Sequence, residues 1–358
     1  MRILAITQVL DKNDDVLGFF HGWAIRFSST FSGFSVIALR VGEHSLPKNT
    51  AIFSLGKEKE KGVRLGILQK ILSRVKYSFR FLVLVIKLRK SYDAVFVHMN
   101  SEYVILAGTI WRFMGKKVVF WYNHTVGSAK VRLAMKLSSA VCHTSPYAFT
   151  AGTYKSRRMP AGIDIKLFSP RGSGNAPEPN AVLYLGRIAP IKKVDVLIRA
   201  IGILARENFP VSLTVAGKAL EKDFAYEEKL KKMVEGFNLG LRVKFVGSLP
   251  NTETPTLIKK HSLLVNLTAK GNYDKTVLEA ASCAVLVVVS SEAFKDIVPK
   301  ELIFEEDSEN SLALKIRFAL SASEDQKERW GVKLRERAAF EESLEILAER
   351  LKSLFEEL

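Results

Sequence analysis

Short, almost continuously apolar runs recur along this chain, separated by longer stretches of helical period. In the first half they are "RILAIT" (2–7), "FSVIALRV" (34–41), "AIFSL" (51–55), "AVFVHM" (94–99), "KVVFWY" (117–122) and "AVCHTS" (140–145). A strand that is apolar on both sides must be covered on both faces. Helices between successive strands supply that cover and make the pairing parallel. At 169–180 the pattern stops in "SPRGSGNAPEPN", where proline, glycine, serine and asparagine leave no apolar period, as in an interdomain linker. The alternation then restarts with "AVLYLG" (181–186), "VSLTVAG" (211–217), "VKFVG" (243–247), "LLVNLT" (263–268), "VLVVVSS" (285–291) and "LIFEED" (302–307). A chain of 358 residues is long for one core. The expectation is therefore α/β: two doubly wound, Rossmann-like domains, 1–168 and 181–330, joined by a linker at 169–180. The end, "KLRERAAFEESLEILAERLKSLFEEL", reads as one long amphipathic helix within 331–358.

Two cysteines cannot make a disulfide framework, which points to a reducing compartment. "MRILAITQVL" followed by "DKNDD" has no cleavage-site pattern, and no uncharged run reaches the ~20 residues that span a bilayer. The formal net charge of +17 calls for an anionic partner. No nucleic-acid-binding motif accompanies it. The basic excess gathers at 57–90, "KEKEKGVRLGILQKILSRVKYSFRFLVLVIKLRK".

Ligands of doubly wound sheets sit at the carboxyl ends of strands, and with two sheets the expected place is a cleft between the domains. In "LYLGRIAPIKK", Gly186 and Arg187 end a strand and Lys192 stands at a helix entrance. A guanidinium fork with a compact ammonium beside it is a device for holding a diphosphate; taken alone, the pair reads first as two solvated cations. In "KGNYDKTVLEAASC", the loop at Gly271 precedes a helix and offers backbone N–H groups as a cradle. Glu279 lies amid apolar neighbours and needs a partner, either a pair of ribose hydroxyls or a nearby cation.

"GRIAPIKKVDVLIRAIGIL", "VAGK", "VKFVGSLPNTETPTLIKKHSLLVNLT" and "DKTVLEAASCAVLVVVSS", in this order and spacing, resemble the C-terminal half of the family 4 glycosyltransferases of GT-B fold. "MPAGIDIKLFSP" resembles that family's Asn-Gly-Ile-Asp segment, with Ala161 in place of Asn. The resemblance implies sugar transfer from a nucleotide-sugar such as a UDP- or GDP-sugar, with retention at the anomeric carbon and neither cofactor nor metal. It makes the C-terminal domain the donor side and the N-terminal domain the acceptor side, with the C-terminal helix packing back toward the latter. Arg187 and Lys192 match the family's diphosphate-binding pair. Glu279 matches the ribose carboxylate, and Gly217 and Lys218 match a loop near the base. The family's usual second glutamate is replaced by Gly271. "GNYDKTVLEA" instead fits a subset with the pattern Gly-x-x-Asp-Lys-x-x-Leu-Glu-Ala, which assigns the donor sugar to the amides of Gly271, Asn272 and Tyr273 and to Asp274. Lys193 and Ala284 stand where the family commonly has glycine.

In the N-terminal half, "KVVFWYNHT" ends a strand with His124, where the family often has a histidine; a structural histidine is the alternative. His98, Asn100 and Glu102 follow the preceding strand. Gly18 and Gly22, in "DDVLGFFHGWAIRF", are the candidates for a glycine-rich loop against the diphosphate. Over 65–90, Leu65, Leu68, Ile71, Leu72, Val75, Phe79, Leu82, Val83 and Ile86 recur at helical spacing among Lys70, Arg74, Lys76, Arg80, Lys87 and Arg89. This is either a core helix with solvated cations or a patch for anionic lipid.

The expected protein is a peripheral enzyme of the cytoplasmic membrane face, acting on a lipid-linked or glycan acceptor. An epimerase or a non-catalytic nucleotide-sugar-binding protein of the same fold remains the alternative.

Overall fold

The computed structural model describes residues 1–60, 66–172, 174, 176–269 and 271–358, so Leu65 of the basic segment lies outside the described residues. The chain forms two compact units, Met1–Gly162 with Leu344–Leu358, and Ile163–Ser343. Each unit holds one parallel sheet with helices on both faces.

In the first unit, β1 (Arg2–Leu10), β2 (Gly33–Val41), β3 (Ala51–Ser54), β4 (Ala94–His98), β5 (Lys117–Trp121), β6 (Ala140–His143) and β7 (Ser156–Arg158) take the order β3-β2-β1-β4-β5-β6-β7. In the second, β8 (Ala181–Leu185), β9 (Ser212–Ala216), β10 (Val243–Gly247), β11 (Leu263–Asn266) and β12 (Leu286–Val289) take the order β10-β9-β8-β11-β12. Both sheets therefore reverse their winding once, between β1 and β4 and between β8 and β11. At such a point the outgoing loops diverge and leave a crevice at the strands' carboxyl ends.

The strand pleat explains the layers. Ile3 and Ala5 of β1 face one core with Trp23, Phe27 and Trp121. Leu4 and Ile6 face the other with Phe81, Trp111 and Phe120. The helix Leu344–Glu357 joins the first of these cores through Leu347, Leu351 and Phe355.

Several details differ from the sequence-based expectation. The strand β7, "SRR", lacks an apolar signature; it is an edge strand that pairs only with β6. The run at 302–307 does not form a strand. A single turn of 3-10 helix occupies Lys300–Leu302, and only Ile303 makes a lone bridge to Val289. The proline- and glycine-rich stretch does not mark the division between units. Arg171 donates to the carbonyls of Lys259 and His261, and Glu178 N donates to Lys260 O at 2.8 Å, so this stretch belongs to the second unit. Composition there signals irregular backbone, not a boundary. The division falls at Gly162, whose φ of +69° suits glycine and where a Cβ would lie 2.4 Å from Leu347. The C-terminal stretch is two helices, Glu324–Glu341 and Leu344–Glu357. Between them Glu342 O accepts from Ile163 N and Ser343 bridges Ile163, so the chain breaks where one continuous helix was expected. The first helix belongs to the second unit, where Arg335 donates to the carbonyls of Ile165, Phe168 and Ser282.

Candidate active site

The crevice of the second unit is built from loops that interlock. Gly186 N donates to Ala216 O at 3.0 Å, Gly217 N to Gly247 O at 2.7 Å and Ile188 N to Lys218 O at 3.1 Å. Gly217 has φ +145°, and a Cβ there would lie 1.8 Å from Gly186 O. The glycine is therefore required by the close approach of two backbones. Lys218 beside it is exposed.

Arg187 leaves β8 exposed, and among the described residues its guanidinium has no side-chain partner. Lys192 follows in the 3-10 turn Pro190–Lys192 and does have a partner. Its Nζ lies 2.6 Å from Asp274 Oδ2 and 3.3 Å from Thr268 Oγ1, while the Thr268 hydroxyl donates to the same Asp274 oxygen at 3.0 Å. Asp274 also caps the helix Lys275–Ser282, accepting from Thr276 N. Burial alone would raise the Asp274 pKa. The Lys192 charge, the Lys192 and Thr268 hydrogen bonds and the Thr276 N–H outweigh it and bring it down to about 2. Nothing near Lys192 in the sequence announces this acidic partner; the structure supplies it from the other side of the switch point.

Glu279, one turn further along that helix, is only 6% exposed. Burial holds its carboxyl above the usual range, opposed by Lys275 and by a hydrogen bond with Asn251. Burial likewise depresses the Lys275 ammonium, against the attraction of Glu279 and Glu342. Lys275 and Glu279 are thus a neighbouring pair at (i, i+4) spacing, the nearby-cation alternative for Glu279.

The loop ahead of the helix is firmly held. Gly271 is buried with φ +86°. Asn272 spends both its backbone and side-chain N–H groups on Ala269 O, each at 3.1 Å. Tyr273 stacks on Phe294 at 4.7 Å and its hydroxyl donates to Glu342 at 2.6 Å. Of the backbone amides expected to cradle the sugar at 271–273, that of Asn272 is therefore already taken within the loop. Thr268, Asn251 and Glu342 join the site's electrostatics without having been singled out in the sequence, since each depends on contacts far along the chain.

The switch point of the first unit has another character. Gly18 is the N-cap of the helix Phe19–Thr30 with ordinary right-handed backbone angles, and its N–H donates to Asp14 O at 3.0 Å. Gly22 lies inside that helix, so no glycine-rich loop is formed by the pair. His98 is buried against Phe20 and Trp23, with ring centroids at 5.1 and 5.6 Å. Asn100 Oδ1 accepts from Gln8 at 2.7 Å, and Glu102 is exposed. His124 is exposed on the loop after β5, with its ring edge-on to Tyr122 at 5.3 Å. Its neighbour Asn123 accepts from Thr144 and Ser145 and ties the loops after β5 and β6 together. Among the described residues, no group of three or more His, Cys, Asp or Glu could hold a metal ion.

Residues 166–337 match the family model described as glycosyl transferases group 1. The chain is 24% identical over 210 residues to a phosphatidylinositol N-acetylglucosaminyltransferase subunit of Arabidopsis thaliana, covering 54% of this chain and 46% of the relative. It thus spans less than half the length of the curated relatives it matches. Among solved structures, the whole chain superposes on sucrose-phosphate synthase from Thermosynechococcus elongatus with a TM-score of 0.79 at 17% identity, covering 99% of that chain. It superposes on Anabaena HepE in complex with UDP and glucose with a TM-score of 0.77 at 17% identity, covering all of both chains. The fold is GT-B: two Rossmann-like α/β domains with parallel sheets.

Proposed function

We propose that the protein is a glycosyltransferase that moves a sugar from a nucleotide-sugar to a lipid-linked or polysaccharide acceptor, with retention of anomeric configuration and without a divalent metal. The observation that carries this is the pair Arg187 and Lys192 at the switch point of the second unit, one exposed and unpartnered among the described residues, the other held beside Asp274. Arg187 and Lys192 bind the donor's diphosphate. Its negative charge grows as the glycosidic bond breaks, so both cations stabilise the departing group and take the electrostatic role a metal has elsewhere. Glu279 accepts from the ribose hydroxyls. Gly217 and Lys218 pass by the base, and the Gly271 loop with Asp274 faces the sugar. His124 serves the acceptor or sugar side.

The UDP and glucose in the HepE complex support a UDP-sugar as donor. The phosphatidylinositol in the name of the Arabidopsis relative supports a lipid acceptor, and with it a place on the inner face of the membrane. Incubation with a panel of UDP- and GDP-sugars, with and without lipid acceptors, tests the reading. Transfer or slow hydrolysis of one donor is expected, undiminished by EDTA, with an anomeric configuration by NMR equal to the donor's. Tight binding of a nucleotide-sugar with no turnover for any acceptor supports a binding protein instead. Activity abolished by EDTA and restored by manganese overturns the metal-free mechanism.

A further inference from the structure

The helix Ile67–Lys87 holds to its own unit through Tyr77, Phe81 and Val85. None of these belongs to the apolar series read from the sequence. Most of that series points the other way: Leu68, Leu72 and Phe79 are 69%, 60% and 70% exposed, and Val75, Val83 and Ile86 are exposed as well. At about 100° per residue, these six fall in an arc about 80° wide, opposite the buried three. The helix therefore has two apolar faces, and only one meets the core. Its sequence contains no acidic residue, and Lys70, Arg74, Lys76 and Lys87 are exposed along it. The turn Lys57–Glu60 brings carboxylates to one side of it, where Glu60 also attracts Lys76. Glu60 accepts from Ser73 at 2.6 Å and from Tyr77, and Glu58 faces Arg80, whose guanidinium donates to Leu55 O at 3.3 Å. Arg80 is thus an anchor of the helix and not a free cation. Among the described residues, no helix is long and apolar enough to cross a membrane.

We propose that the outward stripe of this helix is an interfacial anchor that lies along an anionic lipid surface, with Leu72, Val75 and Phe79 at its centre. This deepens the membrane placement in the reading above, yet rests on one helix and not on the transfer chemistry. An exposed apolar stripe of this length marks an interaction surface. Apolar side chains flanked by Lys76 and Lys87, on a helix with no acidic residue of its own, suit the boundary between headgroups and acyl chains. The same charges argue against a second copy of this chain, because a two-fold contact would bring like-charged flanks together. Nucleic acid would reward the cations but leave the stripe in water.

Sedimentation of the full chain with vesicles, without any nucleotide-sugar, tests the anchor separately from catalysis. Binding is expected to vesicles of phosphatidylcholine with phosphatidylglycerol and not to phosphatidylcholine alone. It should weaken in 1 M salt, where the screening length is about 3 Å. The charge variant K76Q/K87Q should lower affinity roughly 30-fold. The double variant L72Q/F79Q, at exposed positions that leave the fold intact, should abolish binding. A tryptophan placed by Phe79→Trp should shift its emission to the blue on anionic vesicles. Equal sedimentation with neutral and anionic vesicles, sedimentation with neither, or no blue shift in bound protein each overturns the proposal. So does a wild-type dimer that L72Q/F79Q converts to monomer in the ultracentrifuge, since a second copy would then occupy the stripe.

Discussion

The two sheets reverse their winding in the same way, yet what fills the two reversals is opposite in kind. Beside β1 and β4 the first unit packs His98 among Phe19, Phe20 and Trp23, and closes the polar rim with a neutral Gln8–Asn100 hydrogen bond. Beside β8 and β11 the second unit sets Arg187, Lys192 and Asp274 around loops whose backbones touch at Gly186 and Gly217. Topology provides the crevice in both cases, and the residues at the strand ends decide whether it is packed shut or kept charged. The proposed diphosphate binding belongs to the second kind.

The sharpest way to break this contrast is Arg187→Ala. The side chain is exposed and unpartnered among the described residues, so its loss should leave stability within about 0.5 kcal/mol. Turnover should fall roughly 100- to 1000-fold, the effect of removing one donor to a developing anion. His124→Ala in the other unit should lower turnover without changing the affinity for UDP, measured by calorimetry. Loss of UDP binding in His124→Ala, with none in Arg187→Ala, would reverse the roles of the two units.

Glu279→Gln comes next. A hydrogen bond from ribose to a charged carboxylate corresponds to a rise in UDP Kd of roughly 10- to 100-fold. Unchanged Kd with altered stability would assign Glu279 to Lys275 and Asn251 alone.

Asp274→Asn reads the Lys192–Asp274 ion pair. Its pKa falls from 3.8 to about 2, which at 1.36 kcal/mol per unit is roughly 2 kcal/mol of stability. A depressed carboxylate stabilises above its unfolded pKa and ceases to do so as pH falls through the folded one. The difference between wild type and Asp274→Asn in urea unfolding should therefore be constant from pH 7 to about 5 and shrink from about pH 4 toward 2. A difference that stays level to pH 3 would mean that the helix cap, and not the charge, is what the substitution removes.

These residues also mark how far the sequence can be read. Apolar runs declare eleven of the twelve described strands, whereas the strand order, and with it the switch points, comes only from the sheets themselves. Arg187 and Lys192 are legible because strand ends are visible. The Lys192–Asp274 pair is not, since its partners are 82 positions apart and nothing local joins them. In Ile67–Lys87 the helical period is plain, but a period cannot say which of two apolar faces the core takes. The break at Glu342 and Ser343 carries neither glycine nor proline. It is imposed by pairing with Ile163, a contact made only after folding.

The smallest effect concerns backbone strain at the far end of the helix that Asp274 caps. The helix Lys275–Ser282 ends with Ala284 N donating to Ala281 O at 2.9 Å and Val285 N to Ala280 O at 3.0 Å, the paired bonds of a Schellman cap. Ala284 sits at the left-handed position of that cap with φ +56°, where the resembling family commonly has glycine. Lys193, at the other such position, has φ +51° but gains ion pairs to Glu306 and Asp307, both at 2.7 Å. No such compensation is open to a methyl group. A left-handed alanine costs roughly 1–2 kcal/mol, and the greater freedom of glycine in the unfolded chain returns part of it. Ala284→Gly should therefore stabilise the protein by about 0.5–1 kcal/mol and raise the midpoint of thermal unfolding by about 2 °C. Lys193→Gly should do the reverse, because the strain relieved is offset by two lost ion pairs. Calorimetry of the two variants beside wild type decides the matter. If Ala284→Gly lowers the midpoint, packing of the methyl outweighs the backbone strain, and the cap is better fitted to alanine than its geometry implies.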